Sequence, residues 1–77
     1  MDYELWIYRA VSKIGSLKKG TEFLLKELFE GTEWNTLSSG ERRELGRQFR
    51  NKVARAMIPG VVFIGRAQNN SSKYRKA

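Results

Sequence analysis

The side chains in this sequence that are best suited to molecular recognition are arginines at regular spacing. Arg43, Arg47 and Arg50 recur at intervals of four and three residues, which places them on one face of an α-helix. Asn51 falls beside them on that face. Arginine pairs bidentately with guanine, and asparagine with adenine, in the major groove of DNA. The spacing therefore predicts a helix whose exposed face reads duplex DNA.

Further cations extend this predicted surface beyond the helix. Arg66, Lys73 and Arg75 flank a segment rich in Asn and Ser, and we expect them to hold the DNA backbone. Arg42 and Lys52 lie on the flanks of the predicted helix and are expected to assist as phosphate contacts. Contacts of this kind position a protein on DNA without reading its sequence.

The charge of the chain is divided between its two halves. The 77 residues carry 15 basic and 8 acidic side chains, which gives a net charge of +7. Residues 1–41 hold 5 basic and 7 acidic side chains (−2), whereas residues 42–77 hold 10 and 1 (+9). A concentrated basic half is typical of a protein that binds a polyanion. Its one acid is Glu44, so the arginine helix has few partners for salt bridges.

The composition also argues against several classes of protein. The chain has no Cys and no His, which excludes Cys/His zinc sites, thiol nucleophiles and imidazole bases. The glutamates between residues 22 and 33 are interpreted as a solvated helix face rather than as an acid/base pair. We therefore expect no enzyme, no cofactor and no metal ion. An acidic start and short apolar runs predict no signal peptide, no membrane span and a cytoplasmic protein.

Apolar periodicity and capping residues predict three helices. Apolar residues at helical spacing predict the first helix over residues 3–14. Thr21 as an N-cap and Gly31 as a stop predict a second helix over residues 21–30. The third helix is predicted over residues 38–57, where Ser38 and Glu41 form a capping box. Its predicted core stripe consists of Leu45, Phe49, Val53 and Met57.

The last part of the chain reads as a β-hairpin. Pro59-Gly60 forces a turn, and the β-branched and aromatic run of residues 61–64 predicts a strand. Residues 68–72 have the composition of a turn, so the hairpin is predicted over residues 61–76. Tyr74 is expected to pack on Phe63 across this hairpin. Trp34 is interpreted as a plug of the core rather than as a base-stacking platform.

These elements predict one domain over residues 1–77, mainly α with a small β-hairpin. Three helices followed by a C-terminal β-hairpin are the order of a winged helix-turn-helix protein, whose second helix of the pair lies in the major groove. In this interpretation the acidic half is the scaffold and the basic half is the contact surface.

Several short motifs carry a resemblance to a known family. They are the run Lys19–Phe29, then Trp34, Leu45-Gly46-Arg47-Gln48-Phe49, Asn69-Asn70 and Tyr74-Arg75-Lys76. Together they resemble a small, uncharacterised, winged-helix-like single-domain family of Gram-positive bacteria, their phages and mobile elements, over residues 17–76. The resemblance implies a compact bacterial domain in a mobile-element setting, and it implies no site residues.

Our functional prediction is a regulatory or accessory protein that binds duplex DNA. One alternative is an adapter that docks on an acidic protein through the same basic face, and another is an RNA-binding protein. Salt-dependent retention on random duplex DNA distinguishes DNA binding from the first alternative. Competition between duplex DNA and structured RNA distinguishes it from the second.

Overall fold

The computed structural model describes residues 1–68 and 71–77. The helices are α1 (Tyr3–Ile14), α2 (Gly31–Trp34) and α3 (Ser39–Ala54), with a 3₁₀ turn at Leu25–Leu28. The strands are β1 (Glu22–Leu24), β2 (Val61–Arg66) and β3 (Ser72–Lys76). They form one antiparallel sheet in the order β1-β3-β2.

The predicted fold class, three helices and then a C-terminal hairpin in a winged helix-turn-helix arrangement, is wrong. The strands β2 and β3 do pair antiparallel within residues 61–76, but β3 is the central strand of a three-stranded sheet rather than one arm of an isolated hairpin. Its second partner is β1, which comes from the part of the chain predicted as the second helix. The predicted turn over residues 68–72 includes Asn69 and Asn70, which lie outside the described residues.

The first helix is confirmed with its predicted bounds. The side chain of Asp2 accepts a hydrogen bond from the backbone N–H of Leu5 (3.1 Å) and so caps the helix. The buried stripe of α1 consists of Ile7, Ala10 and Ile14, as the apolar periodicity predicts.

The second predicted helix, over residues 21–30, is wrong. Thr21 does not cap a helix, because its hydroxyl donates to the carbonyl of Lys18 (2.6 Å). Phe23 pairs with Tyr74 in β3, and this long-range pairing draws the segment into the sheet. The carboxylate of Glu27 accepts from the backbone N–H of Leu24 (2.7 Å) and starts the 3₁₀ turn instead. Gly31, predicted to stop a helix, begins α2.

The third helix is confirmed at its start but ends three residues early. Ser38 and Glu41 form the predicted capping box, with hydrogen bonds of 3.1 and 2.9 Å. The helix ends at Ala54, and Ala56 adopts a left-handed conformation with φ 56°. Met57 is consequently 57% exposed rather than in the core, and Ile58 is buried in its place. The backbone N–H groups of Ala56 and Met57 donate to the carbonyls of Val53 and Lys52 (3.1 and 2.9 Å), and this Schellman pattern closes the helix before Pro59 is reached.

One core joins α1, α3 and the sheet. Tyr74 lies at its centre, with its ring 5.0 Å from that of Phe49, 5.8 Å from that of Phe23 and 5.9 Å from that of Phe63 (centroid to centroid). The predicted contact of Tyr74 with Phe63 is therefore confirmed. The buried apolar side chains are Ile7, Ala10, Ile14, Phe23, Leu25, Leu28, Leu37, Leu45, Phe49, Ile58, Val61 and Tyr74. This core fixes the face that α3 turns towards solvent.

Candidate nucleic-acid interface

Helix α3 presents one side to the core and the opposite side to solvent. Leu45 and Phe49 are completely buried, whereas Arg43, Arg47 and Asn51 are exposed. The exposed residues recur every four positions and so form one row along the helix. The structure thus places three of the predicted site residues together on the outside of α3.

Arg50 lies between this row and the sheet. Its guanidinium carbon is 3.6 Å from the centroid of the Phe63 ring on β2. Contact with an aromatic face stabilises an arginine and reduces the number of conformations that it samples. Arg50 is therefore held at the junction of α3 and β2, next to the exposed row.

A β-bulge turns Arg66 towards the same side of the molecule. The register of β2 with β3 shifts between Phe63 and Gly65. Gly65 adopts φ 124°, a backbone conformation that glycine reaches readily. Beyond the shift, Arg66 lies opposite Ser72, two residues from the buried Tyr74. Opposed residues of paired strands share a face, so the bulge aims Arg66 at the side that α3 covers.

Lys73 and Arg75 occupy the other face of the sheet. They flank Tyr74, whose side chain points into the core, and side chains alternate along a strand. Lys73 forms an ion pair with Glu22 (Nζ to Oε1, 3.1 Å), and Glu22 lies opposite Arg75 in the register of β1 and β3. The structure therefore does not bring these two predicted site residues to the side of α3.

A cleft of about 720 Å³ opens between α3, the 3₁₀ turn, α2 and the end of the sheet. Arg43, Arg47, Arg50, Asn51 and Arg66 all line it. Two additional cations complete the lining, Arg42 and Lys26. Six cations thus share one cleft, and no Asp or Glu belongs to its described lining. Lys52 does not line it.

One carboxylate nevertheless lies beside the exposed row, on the flank of α3 away from the cleft. Glu44 accepts two hydrogen bonds from Arg47 (2.9 and 2.5 Å) and one from Gln48 (2.8 Å). The hydrogen bonds from Arg47, followed by that from Gln48, lower the pKa of Glu44 from 4.5 to about 2. Glu44 is therefore ionised at neutral pH and offsets part of the charge of Arg47.

Arg42, like Arg50, is half-buried. Its guanidinium carbon is 6.0 Å from the centroid of Trp34, and its Nε is buried with no hydrogen-bond partner in the described part of the chain. Trp34 stacks on Phe29 (6.0 Å between centroids) and packs against the core while half-buried, as predicted. It also lines the cleft, which sequence reasoning did not foresee.

Sequence reasoning also missed Lys26 as a member of this surface. The residue was placed on a solvated helix over residues 21–30, and that helix does not exist. The strand pairing of β1 with β3 helps to place the following 3₁₀ turn, with Lys26, at the cleft beside α3. No local pattern in the sequence signals this approach.

Two features are absent from the residues that the structure describes. Within residues 1–68 and 71–77, no three His, Cys, Asp or Glu side chains are grouped so as to hold a metal ion. In the same ranges, no helix has the length and apolar character needed to cross a membrane.

Comparison with known proteins gives one match. The family model described as "Domain of unknown function (DUF1413)" matches residues 8–76, nearly the whole chain. No curated protein and no solved structure matches the chain.

Proposed function

This chain belongs to the DUF1413 family, whose description assigns no activity, and we propose that it binds duplex DNA. The observation that carries the proposal is the cleft beside α3, where six cations line one concave surface and no carboxylate belongs to the described lining. Concave surfaces lined by one sign of charge focus the electrostatic potential and attract a polyanion.

The geometry of α3 favours a duplex as the polyanion. The helix has 16 residues and so is about 24 Å long, and its row of Arg43, Arg47 and Asn51 faces solvent along its length. The major groove of B-form DNA admits an α-helix, and these side chains match guanine and adenine edges. Arg50 and Arg66, at the edge of the row, are placed to hold phosphates.

Two alternatives match the charge of this surface but not its shape. The major groove of double-stranded RNA is deep and narrow, and side chains on a helix cannot read it. An acidic protein would satisfy the cations but gives no reason for a straight row of base-reading side chains. We therefore treat RNA and an acidic protein as alternative outcomes of the test below.

A regulatory or accessory role in Gram-positive bacteria, their phages or mobile elements stays part of this proposal. It rests on the resemblance that the short motifs within residues 17–76 carry. The prediction concerns the setting of the protein and is independent of the contact surface.

Titration of a fluorescently labelled random duplex at several salt concentrations tests the proposal. With five to seven phosphate contacts, the logarithm of the association constant should fall with the logarithm of salt at a slope of about −5. A structured RNA of equal charge serves as competitor. Preference for the RNA, or binding that does not respond to salt, would contradict duplex DNA binding through this surface.

A further inference from the structure

A glycine occupies the middle of α3, in the wall of the cleft. Gly46 is helical, and glycine is less stable than alanine in a helix interior because its backbone has more freedom to lose. A Cβ atom added at Gly46 would meet nothing within 4 Å, and its φ is not positive. Neither backbone conformation nor packing within the described residues therefore requires glycine here.

Three arginines surround this bare stretch of helix. Positions three and four residues away are the nearest neighbours of Gly46 on the helix surface. Arg42 and Arg43 occupy two of these positions before it, and Arg50 occupies one after it. All four residues line the cleft. We refer to Arg42, Arg43, Gly46 and Arg50 as the Gly46 cradle.

The cradle contains one arginine whose Nε is unsatisfied among the described residues and one arginine that is held against an aromatic ring. The Nε of Arg42 is buried without a hydrogen-bond partner in the described part of the chain. Buried polar groups are satisfied in the great majority of cases, so a buried donor without a partner points to a missing acceptor. Arg50 is fixed by the Phe63 ring, which keeps its guanidinium near the cradle.

We propose that the Gly46 cradle binds a phosphate group, which approaches the backbone of α3 where a side chain at position 46 would stand. Guanidinium forks match the oxygens of a phosphate, and a tetrahedral phosphate serves several arginines at once. This deepens the proposed function, because the same cations take part. Either a nucleic-acid backbone or a free polyphosphate could supply the phosphate, since both present the same oxygens.

Variants at Gly46 separate this role from the stability of the fold. Gly46→Ala should raise the melting temperature by about 2–8 °C, because alanine is the better helix former. The same change should weaken binding, and Gly46→Leu should weaken it by about tenfold or more, because the side chain enters the phosphate position. Gly40→Ala, in the first turn of α3 and outside the cleft, is the matched control and should leave binding unchanged.

Calorimetry measures the binding of tripolyphosphate, citrate and a duplex to the parent, Gly46→Ala, Gly46→Leu and Gly40→Ala. We expect the parent to bind tripolyphosphate more tightly than citrate, and Gly46→Leu to lose that preference while Gly40→Ala keeps it. Equal binding of both anions by the parent, or unchanged tripolyphosphate binding by Gly46→Leu, would overturn the proposed cradle.

The duplex measurements distinguish this inference from the proposed function. If the parent and Gly46→Leu bind duplex equally tightly, and the parent does not prefer tripolyphosphate, the cradle is overturned and DNA binding stands. A cradle that binds tripolyphosphate in a protein with no affinity for duplex would support the inference for a free polyphosphate and overturn the proposed function.

Discussion

The two faces of the β-sheet carry similar cations in different surroundings. On the face towards α3, Arg66 lies opposite Ser72 and lines the same cleft as Arg50. On the outer face, Arg75 lies opposite Glu22 of β1, and Lys73 forms an ion pair with that glutamate. Both faces therefore have basic residues from one segment, and Glu22, the acid among the described strand residues, lies on the outer face.

The difference teaches how a charge pattern along a chain becomes a charge pattern on a surface. Glu22 belongs to the acidic half of the sequence, and the pairing of β1 with β3 carries it to the outer face of the basic half. Lys76 is also drawn away from the cleft, because its ammonium group donates to the carbonyl of Ile14 at the end of α1 (2.7 Å). Strand pairing thus decides which cations lie on the face of the sheet that carries Glu22.

The largest expected effect comes from removing the side chain that holds α3 against the inner face of the sheet. Phe49 is completely buried and contacts Tyr74 edge-to-face. Phe49→Ala should destabilise the domain by about 3–5 kcal/mol, a large share of the stability of a small protein. Urea unfolding followed by circular dichroism measures the loss. Stability close to that of the parent would show that α3 is held by other contacts.

Charge reversal on the outside of α3 should give the next largest effect. Arg47→Glu should abolish measurable duplex binding and lower the melting temperature only slightly, because the Arg47 side chain is 62% exposed and its lost pair with Glu44 lies at the surface. Arg75→Glu is the matched control on the outer face of the sheet. If Arg47→Glu binds like the parent, the row on α3 is not the contact surface and an acidic protein partner becomes the better explanation.

Two arginines on opposite faces of the sheet give the closest comparison. Arg66→Ala should weaken duplex binding by about tenfold and reduce the salt slope by about 1, as expected for one lost phosphate contact. Arg75→Ala should change affinity by less than about twofold, because Arg75 faces away from α3. Anisotropy titrations at matched salt measure both, and equal losses would mean that the two faces contribute alike.

A smaller effect of opposite sign is expected at Glu44. Glu44→Gln removes the one carboxylate that contacts Arg47, so duplex binding should strengthen by about two- to fivefold at low salt. The same titration measures this change. An unchanged or weakened affinity would indicate that Glu44 serves to orient Arg47 rather than to oppose the polyanion.

The smallest effect concerns pH. Because the pKa of Glu44 in the folded protein is about 2, below its ordinary value of 4.5, ionised Glu44 favours the folded state. Its contribution is fully present above about pH 4.5 and is lost as the pH falls through about 2. Melting temperatures of the parent and of Glu44→Gln should therefore converge between these pH values. A gap that persists at pH 2 would contradict this linkage.

Local signals in the sequence were sufficient for α1 and for the start of α3. Asp2 and Ser38 cap helices through contacts within three residues, so nearby sequence decides both boundaries. The segment over residues 21–30 was mispredicted because its structure depends on β3, about fifty residues away. Met57 was assigned to the core by periodicity alone, whereas the end of α3 depends on the chain reversal before Pro59.

The candidate site was predictable where it lies on one helix and not where it spans several elements. The row of Arg43, Arg47 and Asn51 follows from helical spacing alone. The orientation of Arg66 depends on a bulge at Gly65, and that of Arg75 depends on the register with Glu22. A register is set by the packing of whole strands, which a reading of neighbouring residues cannot supply.

The most direct test of the central claim is an NMR titration of the protein with random duplex DNA. The account predicts that the largest amide shifts fall on α3 and at Arg66, around the cleft, while amides beside the outer-face residues Glu22, Lys73 and Arg75 shift little. Shifts concentrated on the outer face of the sheet, or no shifts at low salt, would contradict the account.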